Sequence, residues 1–182
     1  MKVLFLDHDG VICLSNEWGS RYKNREGLDS HFDRFNEKAI EVLNEIIAET
    51  DCEIVISSDW KYHSPIETMQ EIYRIRGIAK SPIDYTTQTL DESDIPQGFP
   101  WRRDQELEQT RALEIKKWLR EHPEVTSWCS VDDLHMGIER LSYGTRVERE
   151  WGLTNFVWTP NSSEGIKQTG VKEKIIDLLG KK

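Results

Sequence analysis

The chain alternates short, unbroken apolar runs with longer segments in which apolar residues recur every three or four positions. Val3-Leu4-Phe5-Leu6 is an apolar run of strand length, the pattern of a strand covered on both faces. It predicts a first strand over Lys2–Leu6. Further strands are expected at Glu53–Ser57, Ser127–Asp132 and Asn155–Trp158, with a short one at Ile83–Thr87. Between them, Asn36–Glu49 puts Ala39, Ile40, Leu43, Ile46 and Ile47 on one helical face. Ser64-Pro65-Ile66-Glu67 reads as a capping box with Pro at the first helical position of a helix that closes before Gly77. Arg111–Arg120 and Val171–Leu179 read as two more helices. Strand and helix in alternation imply an α/β fold, a Rossmann-like three-layer sandwich around a mainly parallel sheet.

Two stretches break the alternation. Residues 16–35 mix Trp18, Tyr22, Phe32 and Phe35 with Arg21, Lys23, Arg25 and Arg34. By itself this segment reads as a surface loop, with Arg21 a candidate substrate contact. Residues 90–108 are Pro-bearing and acidic. Six acids from Asp91 to Glu108 face only Arg102 and Arg103, as in a solvated insertion.

Candidate chemistry gathers where apolar runs end. Asp7-His8-Asp9-Gly10 follows the first strand directly. Strand side chains alternate, so Asp7 and Asp9 share a direction if the strand continues. Carboxylates so close repel unless neutralised, and a hard cation such as Mg²⁺ suits them. Gly10 permits a tight turn and close approach of backbone to ligand. An Asx-type turn is the plainer reading of the same residues. Ser57-Ser58 end the Glu53 strand, where a hydroxyl and a backbone N–H could bond a phosphate oxygen or simply cap a turn. Asp132-Asp133 end the Ser127 strand, and the preceding helix carries Arg111, Lys116 and Lys117. In open α/β sheets ligands bind beyond the carboxyl ends of the strands, which is where these residues lie.

The order Asp-x-Asp-Gly, strand-Ser, Arg/Lys, strand-Asp-Asp resembles the haloacid dehalogenase (HAD) superfamily of phosphohydrolases over nearly the whole chain. The wording Ile56-Ser57-Ser58-Asp59-Trp60-Lys61, with Arg111, Glu114, Ile115, Trp118, Leu119 and Val131-Asp132-Asp133, is similar to the small HAD domains of RNA-repair and polynucleotide-phosphatase proteins. The resemblance implies one HAD-like domain over residues 1–182 with a small cap or lid at residues 16–35. It also implies that the Asp7 and Asp132 strands are neighbours. Mg²⁺ would be held by Asp7, the Asp9 carbonyl and Asp132. Asp7 would be the nucleophile, forming an aspartyl-phosphate, and Asp9 the general acid and base. Ser57 would bond the phosphoryl group, with Ser58, Gly10 and Lys61 as further substrate contacts. Asp133 would orient the metal's waters or a basic neighbour. Many family members place a Lys at the third motif; here Arg111 is the first candidate and Lys116 the second, and the two residue types are not interchangeable. His8, between the aspartates, is expected to face the core.

Composition narrows the partners. The net charge of −9 argues against extensive binding to a nucleic-acid backbone, while leaving a nucleotide or a phosphorylated strand end open. Charged residues make up 31% of the chain and mean hydropathy is −0.64, with no apolar run of spanning length and no signal-peptide pattern. Three cysteines in apolar contexts suit reduced thiols in the cytoplasm. The expected function is a Mg²⁺-dependent phosphatase acting on a phosphorylated small molecule or nucleic-acid end. A phosphotransfer module and a non-catalytic binding module of the same fold are the alternatives.

Overall fold

The computed structural model of the chain describes residues 1–14, 35–142 and 145–181. In chain order the strands are β1 (Lys2–Leu6), β2 (Glu53–Ile56), β3 (Asp84–Tyr85), β4 (Ser127–Asp132), β5 (Glu139–Ser142), β6 (Thr145–Glu148) and β7 (Phe156–Trp158). The helices are α1 (Glu37–Thr50), α2 (Ile66–Ile75), α3 (Glu106–Glu121) and α4 (Val171–Leu179). One sheet has the order β3-β2-β1-β4-β7 and every pairing in it is parallel. β5 and β6 form a separate antiparallel hairpin between β4 and β7 in sequence, which the apolar pattern does not announce.

β1 is central because it has no polar face to offer water. Leu4 and Leu6 join a core with residues of α1, α2 and α4 on one side of the sheet. Val3 and Phe5 pack with Ala112, Ile115 and Trp118 of α3 on the other. Leu6 pairs with both Ile56 and Val131, so β1, β2 and β4 end side by side. α1 starts at Asn36, whose side chain accepts from the Ala39 N–H, the N-cap bond that favours Asn there.

Several local expectations are corrected. Pro65 occupies the N-cap position of α2, and no capping box forms: the Ser64 hydroxyl lies against Pro65 O and Tyr85 Oη instead. α3 begins at Glu106, so Arg111 sits in its second turn and not at its start. The acidic stretch is only partly solvated. Glu106 to Glu108 open α3, and Asp94 is buried between Lys117 (2.6 Å) and Arg120 (2.8 Å), which docks the insertion onto α3. Of the expected lid at 16–35, residues 16–34, with Arg21, lie outside the described residues. All three cysteines are buried, and none forms a disulfide. Among the described residues, no helix is long and apolar enough to cross a membrane.

Trp118 ties α3 to the sheet. It is 2% exposed, meets Phe5 edge-on at 5.3 Å, stacks on His122 at 3.6 Å and donates to Asp84 Oδ2 at 2.7 Å. Trp118→Ala is expected to cost about 3–5 kcal/mol, read as a lower urea midpoint with little change in m.

Candidate active site

Asp7 lies one residue past β1, and its N–H still bonds Val131 O (3.2 Å), so the backbone runs on in register into the site. Asp132 ends β4 on the adjacent strand, and Asp133 follows it. One carboxylate oxygen from each of Asp7, Asp132 and Asp133 lies within 4.8 Å of the others. Asp7 and Asp132 are buried. The turn after Asp7 makes room for this cluster. Amides of Val11, Ile12 and Cys13 all converge on His8 O, and Gly10 adopts φ +76°. A Cβ on Gly10 would lie 2.2 Å from Asp133 Oδ2. The Gly10 N–H bonds Cys13 O, and its carbonyl accepts from Thr159 at 3.5 Å. Gly10 thus lets Asp133 close over the turn, and its N–H and carbonyl both have partners within the protein.

Arg111 supplies the cation. Its Nη1 lies 2.8 Å from Asp132 Oδ2 and 3.5 Å from Asp7 Oδ2, and its Nη2 lies 2.9 Å from Asp59 Oδ1. One guanidinium fork thus bridges the ends of β1 and β4 and the loop after β2, a geometry a lysine ammonium cannot copy. Burial raises the Asp132 carboxyl to about 6 against the pull of Arg111. Burial, then Asp132, pushes Asp7 well above the usual carboxylate range, with Arg111 opposing and Asp133 and Asp9 adding to the rise. Burial works against the Arg111 charge, yet Asp132 and Asp7 hold its proton more firmly than usual. Three crowded carboxylates at one guanidinium leave surplus negative charge, which fits a divalent oxygen-seeking cation. Asp7, Asp132 and Asp133 are the carboxylates that could hold it.

Asp9 stands apart from that trio. Its Oδ2 accepts from Trp60 Nε1 at 3.0 Å, and Trp60 is itself buried against His8 and Phe35. His8 faces the core as expected, bonding Tyr73 Oη at 2.7 Å. The Ser57 and Ser58 hydroxyls are buried without hydrogen-bond partners. The Ser57 N–H is already given to Leu6 O, so its hydroxyl alone is available.

Two predicted site residues do not join the cluster. Lys116 reaches away to Trp151 O at 2.9 Å, because five residues along α3 from Arg111 is a different face of the helix. Lys61 is buried with its three donors directed at Glu114 (2.6 Å), Thr86 (3.3 Å) and Thr87 O (3.0 Å), leaving none for a substrate. Sequence reasoning missed Asp59 as the partner of Arg111 and Trp60 as the donor to Asp9. The signal was the Ser-Ser-Asp-Trp wording itself, since a buried indole N–H needs an acceptor.

Two outcomes are expected from this geometry. In metal-free protein, an acid whose folded pKa is raised favours the folded state when protonated, and that stability is lost as pH rises through about 6. Chelator-treated protein should therefore gain about 1 kcal/mol, or roughly 2–4 °C in Tm, on going from about pH 7.5 to 5.5, and Asp132→Asn should flatten that rise in a calorimetric series. Trp60→Phe should keep the aromatic packing but remove the donor to Asp9, changing urea unfolding by about 1 kcal/mol.

No curated protein and no solved structure shows significant similarity to the chain. A family model does: the one described as the HAD domain in Swiss Army Knife RNA repair proteins matches residues 3–158. That span runs from β1 to the end of β7 and so takes in the whole parallel sheet, with every strand end that carries the acids, the serines and their arginine. By that match the chain belongs to the family of HAD domains found in Swiss Army Knife RNA repair proteins.

Proposed function

We propose that the chain is a Mg²⁺-dependent phosphomonoester hydrolase that works through an aspartyl-phosphate on Asp7, with a nucleotide or a phosphorylated nucleic-acid end as substrate. One observation carries this reading: three carboxylates within 4.8 Å of one another, bridged by one arginine, at strand ends beside two unpartnered serine hydroxyls.

A carboxylate trio with a guanidinium could also be a rigid ion-pair network. The two serines argue for a ligand, because a buried hydroxyl without a partner carries a desolvation cost that an incoming oxygen relieves. Mg²⁺ held by Asp7, Asp132 and Asp133 would supply positive charge to offset repulsion between the attacking carboxylate and the phosphate. The Asp7 carboxylate oxygen attacks phosphorus, and the bond to the leaving oxygen breaks. Asp9, two residues after Asp7 and held by Trp60, gives that oxygen its proton. It then takes a proton from the water whose attack on phosphorus breaks the phosphorus–Asp7 bond and releases inorganic phosphate. Ser57 and Ser58 donate to the transferring group, and Arg111 stabilises its charge.

An acid/base placed at nucleophile plus two lets the phosphoenzyme turn over, which speaks against a long-lived phosphotransfer module. The family's description as RNA-repair domains supports the nucleic-acid end. The net charge of −9 limits contact to the terminus and not a long stretch of backbone.

Phosphate release is the direct test, run with and without Mg²⁺ on 3′- and 5′-phosphorylated oligonucleotides, mononucleotides, sugar phosphates and an aryl phosphate. Turnover should vanish with chelator and fall at least about 10³-fold in Asp7→Asn. Arg111→Lys should lower kcat by about 10²-fold or more, because the fork is lost while the charge remains. Mg²⁺ at about 100 times its Kd should stabilise the native protein by about 2.7 kcal/mol, a gain absent in Asp132→Asn. Mg²⁺ binding without turnover on any substrate would point to a binding module instead.

A further inference from the structure

β7 is an edge strand, and its last residue is a tryptophan that stays 44% exposed. Trp158 pairs in register with Asp132, so it stands one strand away from the carboxylate cluster. Its indole N–H donates to Asp133 O at 2.9 Å, which fixes the ring beside the site while leaving much of it open to solvent. His135 packs on it with ring centroids 4.4 Å apart, and Phe156 lies 6.0 Å beyond His135. These rings line one groove of about 600 Å³, together with Ile138, itself 40% exposed, Pro160 and Lys174. The volume lies in the range of small-molecule sites. Tyr62 and Trp101 are also exposed, but Trp158 is the one exposed aromatic, among the described residues, that pairs residue for residue with a member of the acid cluster.

We propose that the Trp158–His135 pair is a stacking platform for the base of the nucleotide whose phosphate sits at Asp7. This rests on the phosphomonoester reading for the phosphate's position and adds the identity of the group beyond it. None of the clustered aspartates lines the groove; Trp158 links the two, through its bond to Asp133 O and its register with Asp132, so what is attached to a phosphate at the aspartates would reach the groove across that ring. Flat π faces suit a nucleobase, which every nucleotide presents, whereas a bare sugar phosphate has no π face to stack on them. The rings read no base edge, so the platform takes purine and pyrimidine alike.

Discrimination is the readout. The native protein is expected to favour a nucleoside monophosphate over ribose phosphate in kcat/KM. Trp158→Ala should shrink that ratio about tenfold or more, through KM, and Trp158→Phe should restore most of it although it cannot donate to Asp133. Equal losses on both substrates in Ala and Phe variants alike would overturn the platform, since Trp158 would then act only by holding Asp133. A second measurement separates this proposal from the catalytic one. Calorimetric binding of the nucleoside monophosphate and of ribose phosphate to Asp7→Asn, with and without Trp158→Ala, needs no turnover. Base-dependent binding lost with Trp158→Ala upholds the platform even if nothing is hydrolysed. Binding indifferent to the base overturns it even if phosphate release is brisk.

Discussion

The interaction on which the site depends is the bridging of two strand ends by one guanidinium. β1 and β4 are neighbours and both finish in aspartate, so the sheet forces Asp7 and Asp132 together with Asp133 close by. Like charges in a buried place cannot all stay ionised without a counter-charge. Arg111 supplies it from α3, and its second arm fastens Asp59 in the loop after β2. The same contact is structural and chemical: it joins three segments at the sheet's carboxyl edge and leaves the surplus negative charge that a divalent cation would complete.

The surrounding packing keeps that edge rigid. Trp60 is held by His8, Phe35 and the core beneath them, so the indole that reaches Asp9 cannot wander. Asp133 leans over a glycine that has no side chain to exclude it, and Trp158 holds its backbone from the far side. Beside Arg111, the Lys61–Glu114 pair fastens α3 to the loop after β2. Burial opposes both of its charges, and each offsets the cost of the other. Breaking such a pair is costly, while the pair as a whole need not stabilise. Its use here is orientation, since it fixes α3 beside the arginine that matters.

The central strands were legible because burial on both faces leaves no choice of residue: Val3-Leu4-Phe5-Leu6 and Ile54-Val55-Ile56 can be little else. The helices were legible where a face was strictly periodic, as in α1 and α4. Boundaries failed where tertiary contacts decided them. α3 gained a turn before Arg111, and Pro65 took the cap that Ser64 was expected to fill, because the Ser64 hydroxyl turned toward Tyr85 instead. The β5–β6 hairpin escaped notice because Glu139–Ser142 and Thr145–Glu148 contain no apolar run in sequence.

The sequence alone determined that Asp7, Asp9, Ser57, Asp132 and Asp133 lie at or just past the carboxyl ends of parallel strands, since strand periodicity and β–α alternation dictate that placement. Only the tertiary structure decided among cations. Arg111 and Lys116 share a helix and a charge sign, but helical phase sends one to the aspartates and the other to Trp151. The fold likewise turned Lys61 inward to Glu114, moved Asp133 into contact range of Asp7, and gave Trp60 the Asp9 carboxylate to hold. Those outcomes depend on which side chains meet across elements far apart in the chain, and local pattern carries no record of that.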